Sequence, residues 1–207
     1  MMDFEDTRNK KFLNKKFRIL SMPFTDTGFP GLVVFDPIVF EDDRGYFYES
    51  YNEKVFSQKG IGHTYVQDNQ SKSQYGVIRG LHYQMQPYAQ SKLVRVLSGR
   101  ILDVAVDIRK GSPMYGKVFS IELSAENKKQ LYVPKGFAHG FAVLSESAEV
   151  LYKCDAFYNK ESEQGIIYND PTLHIDWKIP ASQIIVSAKD LQNASFAECK
   201  NNFVLEG

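Results

Sequence analysis

From about residue 31 to residue 156, apolar and polar positions alternate in short runs, the period of two that a half-buried β-strand imposes because successive side chains point to opposite faces. The clearest run is Leu102-Asp103-Val104-Ala105-Val106-Asp107-Ile108-Arg109, in which the four branched side chains share one face and Asp103, Asp107 and Arg109 share the other. Lys110-Gly111-Ser112-Pro113 then supplies a turn. Further strands are predicted at 32–39, 46–50, 93–97, 118–123, 131–133, 137–144 and 149–154, separated by Gly, Pro, Asn and Ser clusters. Helical signal is sparse. Residues 52–59 suit a short helix ended by Gly60, and Ser187-Ala188-Lys189-Asp190 has the form of a capping box leading into a C-terminal helix. Many short strands with closely spaced turns predict an all-β sandwich or barrel rather than an alternating α/β fold.

Composition narrows this picture. A chain of 207 residues, 43% hydrophobic and 24% charged, buries one good core, so one domain over 23–207 is expected after a polar N-terminal arm over 1–22. Lys plus Arg number 25 and Asp plus Glu number 25, and this formal neutrality argues against a chain that coats nucleic acid or an anionic membrane. No apolar run reaches the roughly 18 to 20 residues that cross a bilayer, and no apolar segment follows the charged N-terminus as a secretory signal requires, so a cytoplasmic location is expected. Cys154 and Cys199 are too few for a disulfide framework, which fits a reducing compartment.

The candidate chemistry begins with two histidines, His82 in Arg79-Gly80-Leu81-His82-Tyr83-Gln84 and His139 in Pro134-Lys135-Gly136-Phe137-Ala138-His139-Gly140-Phe141. Imidazole titrates near neutrality and so moves protons readily at physiological pH. On position alone His82 is equally well read as a barrel histidine satisfied by hydrogen bonds. His63, His82, His139 and His174 are scattered singly, with no Cys-x-x-Cys, and a metal site normally draws three or four close ligands, so a metal-free site is expected. Arg79 suits phosphate oxygens or a salt bridge, and Lys92 heads an apolar strand where a charge must face ligand or water. Tyr152 reads as a core aromatic or, if its hydroxyl faces a cavity, as a proton donor. Asp190 reads as a helix cap or as the partner of an imidazole, and Arg44 as a turn residue or an anion contact.

Five segments occur in one order: Asp42-Asp43-Arg44-Gly45-Tyr46-Phe47-Tyr48-Glu49-Ser50, Val66-Gln67-Asp68-Asn69-Gln70-Ser71, the run from Arg79 to Gln84, Lys92-Leu93-Val94-Arg95, and the run from Pro134 to Phe141. In these the chain resembles the dTDP-4-dehydrorhamnose 3,5-epimerase family over about residues 24 to 191. The resemblance implies a cupin-like jelly-roll β-barrel with a few short helices, usually a homodimer, using no cofactor and no metal. It implies that His82 is the base, Asp190 its partner, Tyr152 the proton donor and Lys92 the cation beside the developing enolate. Contacts to a dTDP-sugar would fall on Arg44, Glu49, Gln67, Asn69, Arg79, His139, Glu163 and Lys189, with Tyr158 stacking on the thymine. Phe157 departs from the pattern, standing where a tyrosine is common. The implied reaction is 3,5-epimerisation of dTDP-4-dehydro-6-deoxy-D-glucose to dTDP-4-dehydro-L-rhamnose. A relative that inverts only C3 or only C5 would use the same residues. A barrel that binds the sugar nucleotide without chemistry would lose the base or the donor, and both are present.

Overall fold

The computed structural model describes residues 23–62 and 64–205, so the polar arm over 1–22 and His63 lie outside the described residues. Two sheets face one another. The first carries, in spatial order, β1 (Phe24–Asp26), β2 (Val33–Phe35), β10 (Gln130–Val133), β7 (Lys92–Ser98), β12 (Ser147–Cys154) and β5 (Gln67–Gln74). The second carries β13 (Glu163–Gly165), β6 (Val77–Gln84), β11 (Phe137–Val143), β8 (Arg100–Asp107) and β9 (Val118–Ser124), with β14 (Ile185–Val186) parallel to β6. From β5 to β12 the chain crosses between the sheets at every step except β8 to β9, which pair within the second sheet, the jelly-roll hand-over. A separate hairpin pairs β3 (Phe40–Asp42) with β4 (Gly45–Phe47). The predicted short helix is α1 (Glu53–Gln58): the Asn52 side chain accepts from the Lys54 N–H at its start, and Gly60 ends it at φ 83°.

Between the sheets lies a core of Val34, Val94, Val96, Leu131 and Val133 from one side and Ile101, Ala105, Leu123, Phe137, Phe141 and Val143 from the other. The outer faces are covered too. Leu102, Val104, Val106 and Ile108 pack under Leu173, Trp177 and Phe203 of the C-terminal segment, while Phe56 of α1 packs on Val33, Phe35, Leu93 and Tyr132. Strand β8 is therefore buried on both faces rather than half-buried. Its acidic face points inward, and each carboxylate is met there: Asp107 accepts from Arg109 Nε at 3.0 Å, Arg109 Nη2 at 2.6 Å and Ser112 Oγ at 2.7 Å, and Asp103 pairs with His139.

Two strands that alternation does not predict build the site. Strand β5 has the sequence Gln-Asp-Asn-Gln-Ser-Lys-Ser-Gln and pairs along its whole length with β12. Its less exposed positions Gln67, Asn69, Ser71 and Ser73 form one face, and the first three of them line cavities rather than core. Strand β6 contains a bulge. His82 stands opposite His139 and Arg79 opposite Phe141, so three steps on β6 match two on β11. The extra residue returns Arg79 and His82 to the same inner face, while Ile78, Leu81 and Tyr83 fill the outer cluster.

The bulge requires glycine at position 80. Its φ is 127°, and a Cβ there would lie 2.5 Å from Gly140 Cα and 2.8 Å from the His139 carbonyl oxygen. We expect Gly80→Ala to cost about 3 kcal/mol or more, because both the φ and backbone contacts oppose it. Gly28→Ala, at φ 83° with nothing within 4 Å of the added carbon, should cost about 1 kcal/mol from backbone conformation alone. Urea unfolding of the two variants measures the difference, and equal losses would show that the contact with Gly140 is yielding.

Candidate active site

The inner face of β6, with β11 and the segment after β14, opens on a cavity of about 490 Å³ between the sheets. Arg79 and His82 come from β6, His139 from β11, and Ser187, Lys189 and Asp190 from the segment after β14. Ser71, Lys92 and Tyr152 close it from the opposite sheet. A second cavity of about 300 Å³ shares His82, Lys92 and Tyr152 and is bounded further by Gln67, Asn69, Gln84, Gln90, Tyr158 and Glu163. Both volumes are of the size that holds a small-molecule ligand.

His82 Nε2 lies 2.7 Å from Asp190 Oδ1, and Asp190 Oδ2 accepts from the Gly80 N–H at 3.4 Å. The predicted capping box is half realised here. Ser187 Oγ accepts from the Asp190 N–H at 3.0 Å, yet the carboxylate turns to His82 instead of back to the Ser187 N–H. Only a short 3-10 turn, Asp190–Gln192, follows in place of the predicted C-terminal helix. Burial pushes the Asp190 carboxyl up, but the bond from His82, the His82 charge, the Gly80 N–H and Ser187 together outweigh it and hold it below its ordinary value. An ionised carboxylate only accepts, so the proton of this bond sits on Nε2, and whenever the ring is neutral its lone pair is on Nδ1.

Across the cavity Lys92 Nζ stands 5.6 Å from the centre of the Tyr152 ring. Among the described residues no carboxylate is within ion-pair distance of Lys92. Burial pulls its ammonium below the ordinary lysine value, and the charges of Cys154, Asp103 and Glu163 only partly restore it. Burial likewise raises the Tyr152 phenol above its ordinary value, with the nearby Arg79 charge opposing. Among the described residues the Arg79 side chain is held by one bond, from its Nε to Ser73 Oγ at 3.0 Å. His139 Nε2 lies 2.9 Å from Asp103 Oδ1; the other Asp103 oxygen is buried without a hydrogen bond among the described residues.

In the second cavity Glu163 Oε2 accepts from Lys189 Nζ at 2.6 Å and from Tyr158 Oη at 2.7 Å. Burial pushes the Glu163 carboxyl up, and these two donors and the neighbouring charges bring it below its usual value. Gln67 Nε2 donates to Asn69 Oδ1 at 3.0 Å, and Asn69 Nδ2 lies 3.7 Å from Cys154 Sγ. Two residues expected at the site stand apart from both cavities: Arg44 pairs with Asp42 at 2.6 Å on the β3–β4 hairpin, and Glu49 accepts from Asn52 Nδ2 at 3.0 Å. Among the described residues no three His, Cys, Asp or Glu side chains gather as metal ligands. Sequence reasoning missed Ser73, Gln84, Gln90 and Asp103; only Asp103 carried a signal, as a charge inside an apolar strand.

An imidazole held by a carboxylate thus faces an ammonium and a phenol on the opposite sheet, and the sequence and fold that carry this arrangement match one family. The sequence model described as dTDP-4-dehydrorhamnose 3,5-epimerase matches residues 26–198. The chain belongs to that family. The dTDP-4-dehydrorhamnose 3,5-epimerase of Shigella flexneri is 51% identical over 174 residues, 83% of this chain and 94% of that protein. The crystal structure of the enzyme of the same name from Elizabethkingia anophelis superposes with a TM-score of 0.82 at 56% identity, covering 84% of this chain and 96% of the other. The dTDP-6-deoxy-D-glucose-3,5-epimerase of Legionella pneumophila, solved with dTDP-4-keto-L-rhamnose, gives 0.81 at 48% identity over 84% of this chain and 93% of that one. Family membership makes this chain an isomerase.

The Asp190 pair has a pH signature. A carboxyl held below its ordinary value contributes stability that is present above the unfolded value near 3.8 and is lost as pH falls through the folded value. Thermal melts from pH 6 down to about pH 2 should therefore show the wild type losing more stability than Asp190→Asn. Parallel acid limbs for the two proteins would mean that the carboxyl is not held down by His82.

Proposed function

We propose that this chain converts dTDP-4-dehydro-6-deoxy-D-glucose to dTDP-4-dehydro-L-rhamnose by inverting C5 and C3, one domain over 23–207 carrying the reaction. The observation that carries the reading is the split of the catalytic set between the sheets: His82 and Asp190 on one side of the cavity, Lys92 and Tyr152 on the other. A C4 ketone acidifies the hydrogens on both neighbouring carbons. His82 Nδ1 takes one of them, and the electron pair moves to the C4 oxygen to give an enolate. Lys92, with no carboxylate within ion-pair distance among the described residues, faces that oxygen, an electrostatic contribution of about 3 kcal/mol in comparable sites. Asp190 stabilises the imidazolium. Tyr152 returns a proton to the opposite face of the carbon, which inverts it, and each cycle exchanges one carbon-bound hydrogen with solvent.

The remaining contacts hold the substrate for that step. Arg79 offers its terminal guanidinium nitrogens to the diphosphate, with His139, Gln67, Asn69, Glu163 and Lys189 around sugar and base. The Tyr158 ring, about half exposed, stacks on the thymine. We read Arg44 and Glu49 as acting in a homodimer. The hairpin that carries Arg44 leaves Phe40, Tyr46 and Phe47 at 54%, 61% and 68% exposure, an apolar patch that a second copy would cover while receiving the arginine at its own diphosphate site. No helix among the described residues is long and apolar enough to cross a membrane, and the enzyme is proposed to work in the cytoplasm.

Turnover in deuterated water tests the reaction. The product should carry label at both C3 and C5 by NMR; label at one carbon alone would make the chain a single-carbon epimerase. His82→Ala should bind dTDP and lower hydrogen exchange by about 1,000-fold. Exchange at the wild-type rate would remove His82 as the base.

A further inference from the structure

The segment 156–159 presents Phe157 and Tyr158 to solvent at 69% and 53% exposure, yet its backbone is held at every residue. Gln90 Nε2 donates to the Ala156 carbonyl at 2.7 Å. Gln84 Nε2 donates to the Phe157 carbonyl at 3.3 Å, and its Oε1 accepts from the Asn159 N–H at 2.8 Å. Gln67 Oε1 accepts from the Tyr158 N–H at 2.9 Å. All three glutamines line the second cavity, and Gln84, only 5% exposed, also donates to the Tyr88 carbonyl at 2.6 Å. A surface loop with exposed side chains and no regular pairing is ordinarily among the more mobile parts of a protein. Here four consecutive residues are tied by side-chain amides.

We infer that Gln84 and Gln90 are positioning residues for nucleotide binding, forming with Gln67 an amide clamp that sets the main chain of 156–159 and so fixes the aromatic platform at Tyr158. The inference rests on the reading that the base stacks there. An amide suits the task because it donates and accepts at once and carries no charge into a buried place. A carboxylate at position 84 would keep the bond from the Asn159 N–H but turn an acceptor toward the carbonyls of Tyr88 and Phe157. Because the loop is ordered by the clamp, its ordering cost falls on folding and not on ligand binding. Tyr158 Oη is tied in turn to Glu163, which also holds Lys189 beside Asp190, so the platform is registered against the His82 pair through side chains. The Gln84 and Gln90 amides are engaged with main-chain groups of Tyr88 and of 156–159, and losing those bonds therefore acts on binding.

Calorimetry with dTDP and steady-state kinetics on Gln84→Met, which keeps the volume and removes the bonds, test this. The Kd for dTDP and the KM should each rise about tenfold with kcat within about threefold, and the Tyr158 and Asn159 amides should exchange hydrogen faster. In a Tyr158→Leu background Gln84→Met should add less than about twofold, because it acts through the ring already removed. A fall in kcat at unchanged Kd, or a full tenfold loss on top of Tyr158→Leu, would overturn the clamp. If Tyr158→Leu alone leaves the dTDP affinity unchanged, the stacking reading itself fails; if it weakens binding and Gln84→Met does not, only the clamp fails. Gln84→Glu is the second variant should Gln84→Met not fold, with the same losses expected. Failure of both to fold would place Gln84 in the core's support and overturn the inference.

Discussion

The close approach of β6 and β11 at Gly80 and Gly140 sets the geometry of the whole site. Two strands normally pair residue for residue, and Arg79 and His82, three apart, would then face opposite sides. The extra residue in β6 puts both inside, and it fits only because neither glycine has a side chain to occupy the gap. The Gly80 N–H, turned toward Asp190 by the same bulge, helps hold the carboxylate that holds His82. His82, Arg79 and Asp190 thus share one local constraint, and Lys92 and Tyr152 face them from the opposite sheet.

Charge in the cavity is arranged by commitment. Asp190 is bound to His82, Asp103 to His139 and Glu163 to Lys189, so three carboxylates are occupied by three basic groups. Arg79 and Lys92 have no such partner among the described residues, and they stand where the diphosphate and the enolate oxygen of the proposed reaction would be. The burial that makes an uncommitted ammonium costly also strengthens its attraction for an oxyanion, since both effects follow from the low local dielectric. The same desolvation moves the Tyr152 phenol further above its ordinary value.

Much of this was legible in the sequence. Alternation predicted most of the strands that bury apolar faces, and Asn52 and Gly60 marked the one α-helix among the described residues. It failed where a strand serves the site rather than the core. Strand β5 has no apolar residue because one of its faces meets cavities, and β6 loses its period at the bulge. Pattern likewise predicted a helix at Ser187, where the acidic member of the box is drawn off to His82. The roles proposed for Lys92, Tyr152 and Asp190 came from family resemblance, since spacing alone favoured a core aromatic at Tyr152 and left a helix cap open at Asp190. The glutamine clamp was invisible, because its bonds run between positions up to 91 residues apart, and nothing in the local sequence distinguishes such an amide from a surface one.

The central claim is that a hexose ring lies between the two sheets with the imidazole on one side and the phenol on the other. A crystal structure with dTDP-glucose, which lacks the C4 ketone and cannot react, tests it most directly. The account predicts His82 Nδ1 within about 3.5 Å of C3 or C5 on one face of the ring and Tyr152 Oη against the other. A sugar seated with both groups on the same face, or outside the space between them, would contradict it.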